Sequence, residues 1–361
     1  MRQPISNVER WLVLSQLPRF GGRRAAKLIS EYSIEQLFQV PASALPISDS
    51  QRRVFTQPDW RLIDSALAWA EQFACHLVSL SCESYPPLLR EIPDPPMLLF
   101  VGGNKTLLSS PQLAVVGSRN ASPAQHANTE AIVKPIAEAG MCITSGLARG
   151  IDGVAHKAAL AAGGKTLAVM ATGPDRIYPS AHRELAHRIV DQGGALVTEF
   201  HPGTAPYRGN FPKRNRIVSG MSLGTLVVAA GMKSGSLITA RLATEQGRDV
   251  FAIPGAMSDP NVEGCHYLIK NGAKLVTSPV DIVEEVMAGH VMPAEEVKQT
   301  KLPTRGLLDS VGDEATSIDQ IVDRSGQPIN TVMQQLVLLE IQGEVAVVPG
   351  GYQRVRRTGY V

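Results

Sequence analysis

The stretch His201–Arg216, HPGTAPYRGNFPKRNR, gathers Arg208, Lys213, Arg214 and Arg216 around Phe211, without an acid. The acid-free window is longer still. From Phe200 to Thr244 there is no Asp or Glu, and Lys233 and Arg241 bring its cations to six. A solvated protein face normally mixes its signs. One-signed charge over such a length, in a chain of net charge +2, points to a local polyanion site, not to bulk attraction. Cations clamp phosphates, and an aromatic between them can stack on a base. Together they suit single-stranded nucleic acid. Phe211 has a second reading, as a core residue beneath its own loop.

Small-residue turns add uncharged phosphate donors. Gly117–Ser118 and Ser145–Gly146 follow predicted strands, and Gly235–Ser236 opens a predicted helix. Free amides at such turns bind phosphate without a side chain. Several in a row suit a chain of phosphates better than one nucleotide. Arg119 and Arg149, from the first two strand ends, would extend the cationic rim.

Other motifs fail on their context. GGKT (Gly163–Thr166) resembles a P-loop, but Ala159 stands where that loop needs its first Gly, and a helix precedes it. GMSLG (Gly220–Gly224) matches a nucleophile elbow around Ser222, yet it lies between a helix and a strand in the wrong order. The turn GSRNAS carries Arg119 where a dinucleotide fingerprint needs Gly, and Ser145 where it needs an acid. No dinucleotide, other cofactor or metal is expected. Glu199 ends a predicted strand and reads either as a base or as the holder of a basic neighbour.

These residues need a scaffold. From Gln112 to about Met287, apolar runs such as LAVVG, MCITSG, TLAVMATG, ALVTEF, TLVVAAG and VFAIPG alternate with helical stretches. Strands apolar on both faces mean a parallel sheet covered on both sides. The expected fold class is therefore α/β, an extended Rossmann-like doubly wound sheet, whose ligands sit beyond the carboxyl ends of its strands. Residues 1–80 read as a helical domain. Within it LPRFGGRRAAKLI has a Gly turn opening a basic helix, either a helix-hairpin-helix that holds a DNA phosphate or an ordinary bundle turn. Residues 81–288 are assigned to the sheet domain, with the proline-rich Glu83–Gly103 as a connector into it. Residues 289–306 read as a linker, and 307–361 as a winged helix.

The length and apolar content allow two or three folded domains. Four unpaired cysteines, no leader-like start and no membrane-length apolar run point to a cytoplasmic protein.

The motifs GSRNAS, SGLARGIDGVAHKAAL, TGPDRIYPSAHREL, NFPKRNRIVSGMS and SGSLITARLATEQGRDVFAIPG resemble, in this order, those of the DNA-processing protein A family (DprA, also called Smf). The resemblance implies a homodimeric, non-enzymatic protein. Such a protein binds and protects single-stranded DNA and loads the recombinase RecA onto it in natural transformation. It implies that Arg119 clamps phosphate, that Arg208, Lys213 and Arg214 line the pocket, and that Phe211 contacts a base. Asn215 and Arg216 would shape the loop. Two other readings stay open. A nucleotide-processing hydrolase would use Glu245, although the Gly-rich turn of such enzymes is missing and Arg241 and Arg248 offer ion pairs. A transcription regulator would read duplex DNA with its winged helix. The expected recognition helix, INTVMQQLVLLEIQG, has no Lys or Arg, which argues for protein contact or weak DNA contact there.

Overall fold

Alternate residues of each central strand enter two separate cores, which is how the sheet comes to be covered on both faces. In β3 (Gln112–Val116), Leu113 and Val115 pack on one side, while Ala114 and Val116 pack on the other. The same division holds for Leu226 and Val227 of β7 (Gly224–Val227) and for Phe251 and Ala252 of β8 (Asp249–Ala252). The structure, a computed structural model, describes residues 6–288, 307–341, 344–348 and 350–355.

The sheet has nine strands in the order β1-β2-β6-β5-β4-β3-β7-β8-β9. Its remaining members are β1 (His76–Ser79), β2 (Leu98–Gly103), β4 (Cys142–Ser145), β5 (Thr166–Val169), β6 (Ala195–Thr198) and β9 (Lys274–Leu275). Strands β3 to β9 run parallel, as the apolar runs predict. β1 and β2 are antiparallel additions beside β6. They correct the reading of Glu83–Gly103 as a connector, because its last six residues are a strand of the sheet. The five prolines within 86–96 mask that strand in the sequence, and antiparallel pairing to β6 leaves no local signature.

Helices fill both sides. They are α1 (Asn7–Ser15), α2 (Gly22–Glu31), α3 (Ile34–Leu37), α4 (Asp49–Thr56), α5 (Trp60–Gln72), α6 (Pro87–Arg90), α7 (Pro123–Glu138), α8 (Ile151–Ala161), α9 (Arg183–Asp191), α10 (Asn210–Gly220), α11 (Gly235–Glu245), α12 (Glu263–Lys270) and α13 (Val280–Ala288). Ser side chains cap α1, α3, α4 and α7 in reciprocal boxes with a Glu or Gln three residues on. The N-terminal helices belong with the sheet in one compact unit, Met1–Val291. Trp11 is fully buried, and its indole donates to Ser81 Oγ at 2.9 Å. Trp11, Leu12 and Leu14 join the core that also holds Ile217 and Val218 of α10.

The second unit is built on Leu307, Ile321, Val332, Leu336 and Val345. It contains α14 (Ile318–Ser325), α15 (Ile329–Ile341) and a hairpin of β10 (Val345–Val348) with β11 (Gly351–Arg354). Ser317 caps α14 at its start, and Gly326 ends it in the left-handed region at φ 64°. The linker expected at 289–306 lies outside the described residues.

Candidate nucleic-acid interface

After β6 the chain crosses back to place β7 against β3, on the side away from β4. Strand order reverses there, and the turns after β3 and β7 part to leave a crevice. A cleft of ≈ 670 Å³ occupies it. Loops from five strands line it: Gly117 to Asn120 after β3, Ala148 after β4, Tyr178 after β5, Arg208, Phe211, Arg214 and Asn215 after β6, and Gly231 with Lys233 to Ser236 after β7. Close backbone approach makes this possible. Gly150 adopts φ 74°, and a Cβ there would fall 2.2 Å from the Ser118 carbonyl oxygen.

One wall is cationic and aromatic. The Arg119 guanidinium carbon lies 5.5 Å from the Phe211 ring centre. Tyr178 meets Phe211 edge-on at 5.8 Å and 61°. Phe211 is half-buried, and Arg119, Arg208, Lys233 and Tyr178 are exposed. Phe211 is thus a wall residue of the cleft and not a core residue. Tyr178 and Lys233 are additional lining residues. Tyr178 carried a signal in the sequence, an aromatic in the strand-end loop TGPDRIYPS. Lys233 sits in the acid-free window.

The other predicted residues divide into three groups. Gly117, Ser118, Asn215, Gly235 and Ser236 line the cleft with Arg119. The Ser236 amide is already taken by Ser234 Oγ at 3.2 Å, whereas nothing crowds Gly235.

Ser145 and Gly146 form the buried floor with their polar groups bonded within the protein, which corrects their reading as phosphate donors, and Arg214 lines the cleft, as expected, from that floor. Ser145 Oγ donates to the Val115 carbonyl at 2.6 Å. The amides of Gly146 and Ala148 donate to Asp152 Oδ2 at 3.1 and 3.2 Å. Arg214, 5% exposed, donates to the carbonyls of Gly146 and Val169 and through Nε to Asn215 Oδ1 at 3.1 Å. Burial lowers the Arg214 pKa to about 10, opposed by Asp152, so it stays charged at neutral pH. Burial pushes Asp152 up, and Arg214 is the largest influence holding it down. The sequence did not reveal that Asp152, two residues into α8, would reach back for these amides.

Lys213 and Arg216 face away from the switch-point cleft, a correction to their expected place beside Arg208. They converge on Glu199, with Lys213 Nζ at 3.2 Å and Arg216 Nη2 at 2.6 Å from Oε2. Glu199 therefore holds basic neighbours. The reason is helical pitch. Residues 213 and 216 lie three apart on α10, and 211, 214 and 215 share a different side. Ser222 is fully buried with its hydroxyl on the Val218 carbonyl, so the elbow-like motif has no exposed nucleophile. Among the described residues no group of three or more His, Cys, Asp or Glu side chains could hold a metal.

A buried histidine lies behind this floor. Thr166 Oγ1 donates to the Ile143 carbonyl at 2.6 Å, so His156 Nδ1, 2.7 Å from the same oxygen, must carry the proton and donate. Burial depresses the His156 pKa from 6.5 to about 3. Both states are neutral above pH 6.5. Below it the unfolded ring gains a proton that the folded ring refuses, so stability falls as pH drops toward 3. His156→Gln is expected to flatten that part of the curve, read by urea denaturation at stepped pH. An equally steep curve would assign the acid sensitivity to other groups.

Comparisons with known proteins identify the family. The family model for DNA recombination-mediator protein A matches residues 76–287, and the DprA winged helix domain matches 293–351. The chain belongs to the DNA recombination-mediator protein A family. Protein Smf of Escherichia coli (strain K12) is 44% identical over 367 residues, covering 98% of each chain. The X-ray structure of DNA processing protein A from Streptococcus pneumoniae superposes with a TM-score of 0.67 at 38% identity, covering 78% of this chain and 99% of that one. DNA processing protein A from Helicobacter pylori, whose structure addresses its single-stranded DNA binding mode, gives 0.55 at 27% identity over 61% of this chain and 98% of that one. The Rossmann-like sheet and C-terminal winged helix expected from the sequence are thus the architecture of this DprA family. Among the described residues no helix is long and apolar enough to cross a membrane.

Proposed function

We propose that the chain binds single-stranded DNA in the switch-point cleft and acts as a non-enzymatic recombination mediator. The observation that carries this reading is the Arg119–Phe211–Tyr178 wall, a cation and two aromatics side by side at the rim of a parallel sheet. Phosphate meets Arg119, Arg208 and Lys233, and a base stacks on an aromatic face of this wall. The Helicobacter pylori relative, described by its single-stranded DNA binding mode, supports the same ligand. Protection of incoming DNA, loading of RecA during natural transformation, a homodimeric state and a cytoplasmic setting complete the proposal. The hydrolase alternative gains nothing from the geometry. Glu245 lies beside Arg241 at 3.5 Å, and both line a separate cleft of ≈ 700 Å³.

The test is a salt titration of binding to poly-dT and to duplex of equal length. Strong preference for the single strand is expected, with log K falling by roughly 0.7 per phosphate contact for each tenfold rise in salt. Equal or tighter binding to duplex would refute the assignment. RecA loading is then measured by filament growth on the bound strand.

A further inference from the structure

The switch-point cleft does not account for the cations of α2. From Gln16 to Ser30 the chain carries Arg19, Arg23, Arg24 and Lys27 and no acid. All four are exposed. Among the described residues none of them is in an ion pair. Arg23 and Lys27 stand four apart on the helix, and Arg24 and Lys27 three apart. Like charges at these spacings cost a helix a few tenths of a kcal/mol each, roughly 0.2–0.5. Arg24 Nη1 donates to the Arg19 carbonyl at 3.2 Å, but a face that bears this repulsion without an internal counter-charge suits an external polyanion.

The N-terminal turn of α2 is not itself that site. Asp94 Oδ1 accepts from the Arg23 amide at 3.3 Å, and a Cβ at Gly22 would fall 1.5 Å from the Pro95 carbonyl oxygen. Gly22 is therefore packed against the Pro95 backbone and the Arg23 amide is engaged by Asp94, which argues against a phosphate held by the turn amides and leaves the arginine and lysine side chains. The same contact ties α2 to the DNA site. Asp94 Oδ2 faces Arg216 Nε of α10 at 3.5 Å, so one carboxylate joins the helix bearing Phe211 to the helix bearing Arg23. Gly21 and Gly22 line a cleft of ≈ 230 Å³ together with Lys213, whose side chain is 52% exposed.

We propose that the switch-point cleft is one end of a longer track, in which single-stranded DNA leaving it past Lys213 is held through its phosphates by Arg19, Arg23, Arg24 and Lys27. This rests on the reading of the cleft as a single-strand site. The N-terminal helical layer then enlarges the site instead of forming a separate module.

The experiment uses the full chain and its R23Q/R24Q/K27Q variant, with oligo-dT of ~6 and ~20 nucleotides, lengths that bracket a single compact site. Both proteins should bind the short strand equally. The variant should lose the extra affinity that the long strand gives the unaltered chain, and its salt slope on that strand should drop by about 2, near 0.7 for each of three lost contacts. An unchanged titration on the long strand would overturn the track and leave the cleft reading standing. Equal weakening on both lengths would also overturn it, since the face would then act through the fold. Failure of the unaltered chain to bind either length would bring down the cleft reading, and the track with it.

Discussion

Arg214→Met is expected to cost about 3–5 kcal/mol of folding stability, the range for breaking a buried charge network by removing one partner. Arg214 looks like a DNA ligand by its place between Lys213 and Asn215, but its guanidinium is committed to the carbonyls of Gly146 and Val169. Methionine fills much of the volume and leaves those oxygens without their donor, with Asp152 still buried beside them. Against a net stability of roughly 5–15 kcal/mol for a typical domain, such a loss is a large fraction. Urea denaturation at neutral pH measures it directly. Arg214→Lys keeps the charge without the planar fork and should fall between the two. A fully stable Arg214→Met protein that no longer bound DNA would reverse the assignment, making Arg214 a ligand and not a floor.

Phe211→Ala addresses binding. If the ring stacks on a base, its loss costs ~1–3 kcal/mol, on the order of a 5- to 150-fold weakening. Arg119 leans over the same ring at 5.5 Å, so the two substitutions should not add. A double-mutant cycle with Arg119→Ala is expected to show coupling of about 0.5–2 kcal/mol, the range for a cation over an aromatic face. Phe211→Ala alone, measured on a protein with unchanged melting behaviour, isolates the contact. Unaltered affinity would reduce the ring to a packing residue.

Much of this was legible in the sequence because its causes are local. Runs such as LAVVG and TLVVAAG can only be strands buried on both faces, and the rule for parallel sheets places GSRNAS and AGMKSGS at the ligand edge. Arg119, Arg208 and Phe211 followed from residue type and position. The illegible parts depend on direction or distance. NFPKRNR read as a loop makes every cation equivalent. Read as the helix it is, it splits by pitch into 211, 214 and 215 against 213 and 216. Even then, the partners that decide each role, Glu199 for Arg216 and Gly146 and Val169 for Arg214, come from other strand ends. The antiparallel pair β1–β2 was hidden for the same reason, since its pairing with β6 joins residues about a hundred apart.

The cleft has no continuous stretch of its own. Its walls come from turns scattered between Gly117 and Ser236, each brought in by a different strand. A chain still emerging from the ribosome has made Arg119 long before it has made Lys233, and until α11 docks beside β7 those two cations have no shared groove. On the reading of this cleft as the single-strand site, competence to hold a strand requires the closed sheet, and chains truncated before Lys233 are expected to lack it.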